Sequence, residues 1–163
     1  MRTLIIGYGN PLRGDDGLGW RVAEELRRLP AFAQAEVLFR HQLTPELAEP
    51  VSRAQAVFFI DAARDGAPGQ VKRREVSPQS LPGRFSHAYS PEELLGLARL
   101  LYGACAFAVV FSITGECFGH GEQLSRVVAA QIPELIAKVV ETAHDAGQWS
   151  GSNGAVIPVQ LAR

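Results

Sequence analysis

The sequence predicts an α/β fold: a single-domain three-layer sandwich in which a mostly parallel twisted sheet of about five strands carries helices on both faces. Three observations predict it. The chain opens on a short apolar run, a glycine-rich loop and an amphipathic segment, which read as strand, tight loop and helix. Two continuous apolar runs, Ala56-Val57-Phe58-Phe59-Ile60 and Ala106 to Ile113, have the pattern of strands covered on both sides. Strand-like and helix-like segments then alternate along the chain, and right-handed crossovers turn that alternation into helices on both faces.

A chain of 163 residues is the usual size of one domain and can bury a substantial core. With 47% hydrophobic and 20% charged residues and a net charge of −1, it lacks the basic excess of a nucleic-acid binder. Cys105 and Cys117 are too few for a disulfide framework and fit no zinc or redox spacing; Cys105, in an apolar run, is expected in the core. No stretch approaches the ~18 apolar residues of a membrane span. The N-terminus enters a strand at once and leaves no room for a signal peptide, so the expected location is the cytoplasm, with no membrane partner.

The first strand, from Thr3, runs into a loop with glycines at 7, 9, 14, 17 and 19, and a helix follows from Trp20 to about Leu29. Gly7-Tyr8-Gly9-Asn10-Pro11-Leu12 lacks the third glycine of a dinucleotide fingerprint, and Asp15 and Asp16 would repel a pyrophosphate. A helix has one cap position, so one of these acids is expected to cap the helix and the other to be free for chemistry. Residues 35–40 alternate as a second strand, and Thr44-Pro45 starts a short helix that ends near Arg53. Ala56 to Ile60 is the central strand, with Asp61 at its end. Gln70 to Val76, rich in charge, reads as an edge strand. A long loop from Ser77 to Ser90 precedes a helix with a capping box, Ser90 and Glu93, and Pro91 in its first position; Leu94, Leu95, Leu97, Ala98 and Leu101 form its apolar face. After the strand at 106–113, a long helix from about Ser125 to Ala146 is expected to kink at Pro133. The domain is thus 1–146, and 147–163 is a C-terminal tail that is either disordered or packed on a neighbour.

In such a sheet the strands' carboxyl ends share one rim, where open α/β domains place their ligands. Asp15, Asp16, Asp61, His87 and Glu116, with His41 and His120, fall there. Asp61 is the sharpest of them, because a carboxylate that ends an apolar strand is desolvated and needs a donor or a cation. Two carboxylates and an imidazole make an oxygen and nitrogen ligand set suited to Ni²⁺, Zn²⁺ or Mn²⁺.

These residues carry a resemblance. Gly7 to Gly19, with Ile60-Asp61-Ala62 and His87-Ala88-Tyr89-Ser90-Pro91-Glu92-Glu93-Leu94-Leu95, resembles the hydrogenase maturation proteases, the endopeptidases that trim the C-terminal extension from the large-subunit precursor of nickel-iron hydrogenases. The resemblance implies that Asp16, Asp61 and His87 are the metal-contacting positions. It also implies that the nickel arrives already bound in the precursor, with Zn²⁺ or Cd²⁺ able to take the same site. Asp16 and Asp61 are the candidate catalytic residues, their individual roles unassigned. Where the family often has an Asp-Gly-Gly-Thr type loop, this chain has Phe39-Arg40-His41-Gln42-Leu43-Thr44, so His41, Gln42 and Thr44 are the expected substrate contacts, with His41 facing metal or peptide. The same ligands would also suit a hydrolase with a resident metal, acting on another peptide or a small substrate, or a non-catalytic nickel-dependent binding module. The oligomeric state is open.

Overall fold

In a computed structural model, which describes residues 1–81 and 88–152, the first apolar run forms β1 (Thr3–Tyr8). It pairs in parallel with β2 (Glu36–Arg40) on one side and with β3 (Ala56–Ala63) on the other. The charged strand β4 (Val71–Glu75) lies at an edge, antiparallel to β5 (Phe107–Thr114), and the sheet order is β2-β1-β3-β5-β4. The predicted five-stranded, mostly parallel sheet is therefore present, with the charged strand at its edge.

Helices cover both faces. Alternate residues of β1 and β3 point to opposite sides, so Ile5, Phe58 and Ile60 meet α1 (Leu18–Arg27), α4 (Arg126–Ala129) and α5 (Ile132–Ser152). Leu4, Ile6, Val57 and Phe59 meet α2 (Ala48–Arg53) and α3 (Pro91–Tyr102). Within the first core Phe58 and Phe111 pack edge to face, centroids 5.6 Å apart.

The glycines of the opening motif serve clearance between backbones. A Cβ on Gly19 would stand 2.4 Å from the Ile60 carbonyl oxygen and 2.5 Å from that of Tyr8, so only glycine lets α1 settle this closely on β1 and β3. Gly9 has φ 123°, and a Cβ there would reach the Asp16 carbonyl oxygen at 2.1 Å. The loop is folded tightly enough to bring the aspartates back beside the strand that precedes it.

Local signals hold where short-range interactions decide. Ser90 accepts from the Glu93 N–H while the Glu93 carboxylate accepts from the Ser90 N–H, with Pro91 in the first turn and Gly103 at φ 65° beyond the last. Elsewhere tertiary contacts change the outcome. Asp61 does not end its strand: β3 continues to Ala63 because Asp61, Ala62 and Ala63 pair with Ser112, Ile113 and Thr114 of β5. Pro133 does not kink one helix but opens a second, where its missing N–H is not needed, and Ser125 caps the short α4 instead. The α1 helix is entered through a 3₁₀ turn, Gly14–Gly17, and α2 through another, Pro45–Leu47. Cys105 is exposed rather than in the core, and so is Leu101, because both stand beyond the sheet's amino edge or on the outer side of α3. α5 carries its helix to Ser152, and residues 153–163 lie outside the described residues. Among the described residues no helix is long and apolar enough to cross a membrane.

Candidate active site

The two adjacent aspartates of the opening loop have separate fates. The Asp15 carboxylate is fully buried and caps nothing in its own helix; it accepts the N–H groups of Glu116 (2.8 Å), Cys117 (2.9 Å) and Ser125 (2.7 Å) and the Ser125 hydroxyl (2.9 Å). Burial alone would raise its pKa. The amides of Cys117, Ser125 and Glu116 and the Ser125 hydroxyl outweigh that and hold it below the ordinary carboxylate range. Asp15 thus pins the 3₁₀ turn to the loop that follows β5. The expectation that one aspartate caps α1 is corrected: the cap position is Gly17, with no side-chain bond.

Asp16, on the other side of the same turn, is half-buried. Its Oδ2 accepts the Asn10 N–H at 2.8 Å, and its Oδ1 lies 3.9 Å from a guanidinium nitrogen of Arg64. Asp61 sits in the polar layer that closes the α2/α3 face of the sheet at its carboxyl end. Strand register puts Tyr8 beside Arg40, Asp61 beside Ser112, and Ser112 beside Lys72, and the Tyr8 phenol is bonded to the Asp61 carboxylate. The Ala62 N–H donates to Asp61 Oδ1 at 2.8 Å.

Asp61 is pushed up to about 7, mainly because burial disfavours its charge; the negative Asp16 adds to this, while the Ala62 N–H, the Tyr8 hydroxyl and the Arg64 cation oppose it. The Tyr8 phenol is raised as well, by burial first and then by Asp61, so it stays neutral and donates. A carboxyl that titrates near neutrality, beside a second carboxylate that acts on it, suits proton transfer or the binding of a cation.

The raised value has a consequence for stability. Between pH 3.8, where the free carboxyl titrates, and about 7 the folded chain holds a proton that the unfolded chain has lost, so stability falls as pH rises through this window and stays lowered above it. Asp61→Asn removes the penalty. In metal-free buffer it is expected to stabilise the protein by about 1–2 kcal/mol at pH 8 and by nothing measurable at pH 4, read from urea unfolding at both pH values. A variant equally or less stable at pH 8 would show that Asp61 carries no such penalty.

Asp61 and Arg64 line a cleft of about 380 Å³ together with Tyr8, Lys72, Arg74 and Pro91, so the start of α3 forms one wall. A larger cavity, about 660 Å³, lies at the opposite, amino edge among Gln55, Phe107 and Thr142 and holds neither Asp16 nor Asp61. Ligands of open α/β sheets belong at the carboxyl edge.

The structure therefore brings Asp16 and Asp61 together. His87 lies outside the described residues. His41 is exposed after β2, its ring edge-on to Trp20 with centroids 5.5 Å apart; Gln42 is exposed, and Thr44 precedes the 3₁₀ turn without a capping bond. Among the described residues, none of these three lines the cleft at Asp61. His120 and Glu116 are exposed. Sequence reasoning passed over Tyr8 and Arg64. Tyr8 was legible in principle, since it continues the inward alternation of Leu4 and Ile6 at the strand's polar end; nothing in the sequence marked Arg64.

Among the described residues no three His, Cys, Asp or Glu side chains converge as a metal cage. The donor set that is present, two carboxylates of which one is desolvated with few donors, fits two positions around a divalent cation.

Fold and rim together define a class, a doubly covered parallel α/β domain with a carboxylate pair at the sheet's carboxyl edge. Solved structures share this fold. The hydrogenase maturating endopeptidase HybD from E. coli is similar at 25% identity, covering 90% of this chain and 94% of that one, with a TM-score of 0.69. The [NiFe] hydrogenase maturation protease HycI from Thermococcus kodakarensis matches at 21% identity over 88% and 92%, TM-score 0.67. HybD from Thermococcus kodakarensis matches at 23% over 88% and 99%, TM-score 0.64. No family model and no curated protein matches the sequence. This chain shares its fold with these hydrogenase maturation proteases.

Proposed function

We propose that this chain is the endopeptidase that removes the C-terminal extension of a nickel-iron hydrogenase large-subunit precursor after nickel insertion, and that Asp16, Asp61 and His87 meet the nickel the substrate carries. The observation that supports this most is the approach of Asp16 and Asp61, 45 residues apart in sequence, at the rim of a HybD-like fold. His87 enters through the sequence resemblance alone. Nickel is here a feature of the substrate; Zn²⁺ and Cd²⁺, which accept the same donors, are expected to occupy the site in vitro.

Hydrolysis needs water added to the scissile carbonyl and a proton delivered to the departing amine. Asp61, titrating near 7, is suited to take the proton of the attacking water and return it, with Tyr8 orienting its carboxylate and Ala62 N–H occupying its Oδ1. Asp16, held by the Asn10 N–H, faces the cation. His41, with Trp20 behind it, and Gln42 and Thr44 form the wall after β2 along which the precursor is held.

The test is cleavage of purified precursor, nickel-loaded and nickel-free, followed by mass spectrometry of the large subunit. Release of the extension only from the loaded form is the expected result. No cleavage of loaded precursor by folded protein would overturn the proposal. A full equivalent of zinc in the purified protein, with equal cleavage of the nickel-free form, would replace it by a hydrolase with a resident metal.

A further inference from the structure

Arg64 has an arrangement that the proposed chemistry does not require. It follows β3 at the rim, three residues past Asp61, and its side chain is largely exposed, yet it is held at two points. Its guanidinium lies 4.1 Å above the Phe118 ring, and one nitrogen stands 3.9 Å from Asp16 Oδ1. The ring is itself seated: Gly115 has no side chain, and a Cβ there would meet Phe118 Cζ at 2.4 Å. A flat, weakly hydrated cation stacked on an aromatic face suits a fixed position better than an ammonium on a flexible stem. At 3.9 Å the contact with Asp16 is ionic rather than a hydrogen bond, so it can be released without leaving a buried donor unpaired.

Arg64 and Asp61 share the lining of the same cleft, so the cation paired with Asp16 also acts electrostatically on Asp61. We infer that Arg64 is a specificity-determining residue: its guanidinium is the resident counter-ion of Asp16 and Asp61, keeps free divalent ions from the pair, and gives way to the cation that a polypeptide substrate presents. This rests on the reading of Asp16 and Asp61 as the pair that meets the metal. A free ion must displace Arg64 unaided. A metal carried by a precursor arrives with the further contacts of the protein around it, and these offset the displacement.

The test uses Ni²⁺ alone, titrated by calorimetry into the wild type, Arg64→Met, Arg64→Lys, Phe118→Leu and Asp16→Asn, with thermal unfolding of each as the control for folding. Arg64→Met is expected to bind Ni²⁺ at least about tenfold more tightly than the wild type. Arg64→Lys, which keeps the charge without the planar stack, should fall between them, and Phe118→Leu should move in the same direction as Arg64→Met. Equal affinities in Arg64→Met and wild type, with binding lost in Asp16→Asn, would overturn the role of Arg64 and leave the carboxylate site standing. Arg64→Lys indistinguishable from wild type would reduce the effect to net charge and overturn the clamp. No binding in any variant, Arg64→Met included, would overturn this inference together with the site.

Discussion

Asp16→Asn and Asp61→Asn are each expected to lower the rate of precursor cleavage by about 10²–10⁴-fold with the fold intact. The amide is nearly isosteric with the carboxylate, and its oxygen can still accept the bonds that orient each residue, from the Asn10 N–H at position 16 and from the Ala62 N–H and Tyr8 at position 61. What is lost is charge toward a cation and, at position 61, a group able to carry a proton near neutral pH. Timed cleavage of nickel-loaded precursor, with circular dichroism to confirm folding, checks both variants. Wild-type rates in either would remove that residue from the chemistry. The Asp61 variant carries a second signature, since it should be the less active and, above neutral pH, the more stable protein. A rim that retains a destabilised carboxylate trades stability for activity.

Asp15→Ala is expected to have the opposite profile, a loss of about 3–5 kcal/mol in stability from a residue with no proposed contact to substrate. Removing its carboxylate leaves three part-buried N–H groups and the Ser125 hydroxyl without their acceptor. For a domain with typical total stability of about 5–15 kcal/mol, such a loss is a large share of the whole. Urea unfolding at pH 7 measures it, and a change below about 1 kcal/mol would show that water satisfies the freed donors. The sign of its pH dependence follows from the lowered pKa: Asp15 contributes fully above its unfolded value of 3.8, and the contribution fades as pH falls through its folded value. Asp15→Asn should therefore lack part of the wild-type acid sensitivity. Because Asp15 anchors the turn that carries Asp16, its loss should also disturb the proposed metal contact at Asp16.

Much of the fold was legible in the chain. The apolar runs, the alternation of elements and the Ser90-Pro91-Glu93 cap depend on neighbours within a few residues, and they form as their local chemistry indicates. The opening motif was legible as a loop bearing carboxylates, although its glycines turned out to give α1 close access to the sheet. Errors arose where a partner remote in sequence decides. β3 outruns its apolar run because β5 supplies a partner through Thr114, and Cys105 is exposed because its apolar neighbours only begin the strand below it.

By itself, then, the sequence determined the α/β class, the edge strand, the helix starts and the positions that could reach the rim, since each follows from short-range periodicity, capping and turn chemistry. Only the tertiary structure decided which aspartate is a buried anchor and which stays partly exposed at the rim. That choice depends on amides at 116, 117 and 125, about a hundred residues away in the chain. It also decided that Tyr8 meets Asp61 and that Arg64 leans on Phe118 toward Asp16, because strand register and loop packing bring those groups together and no local pattern encodes them.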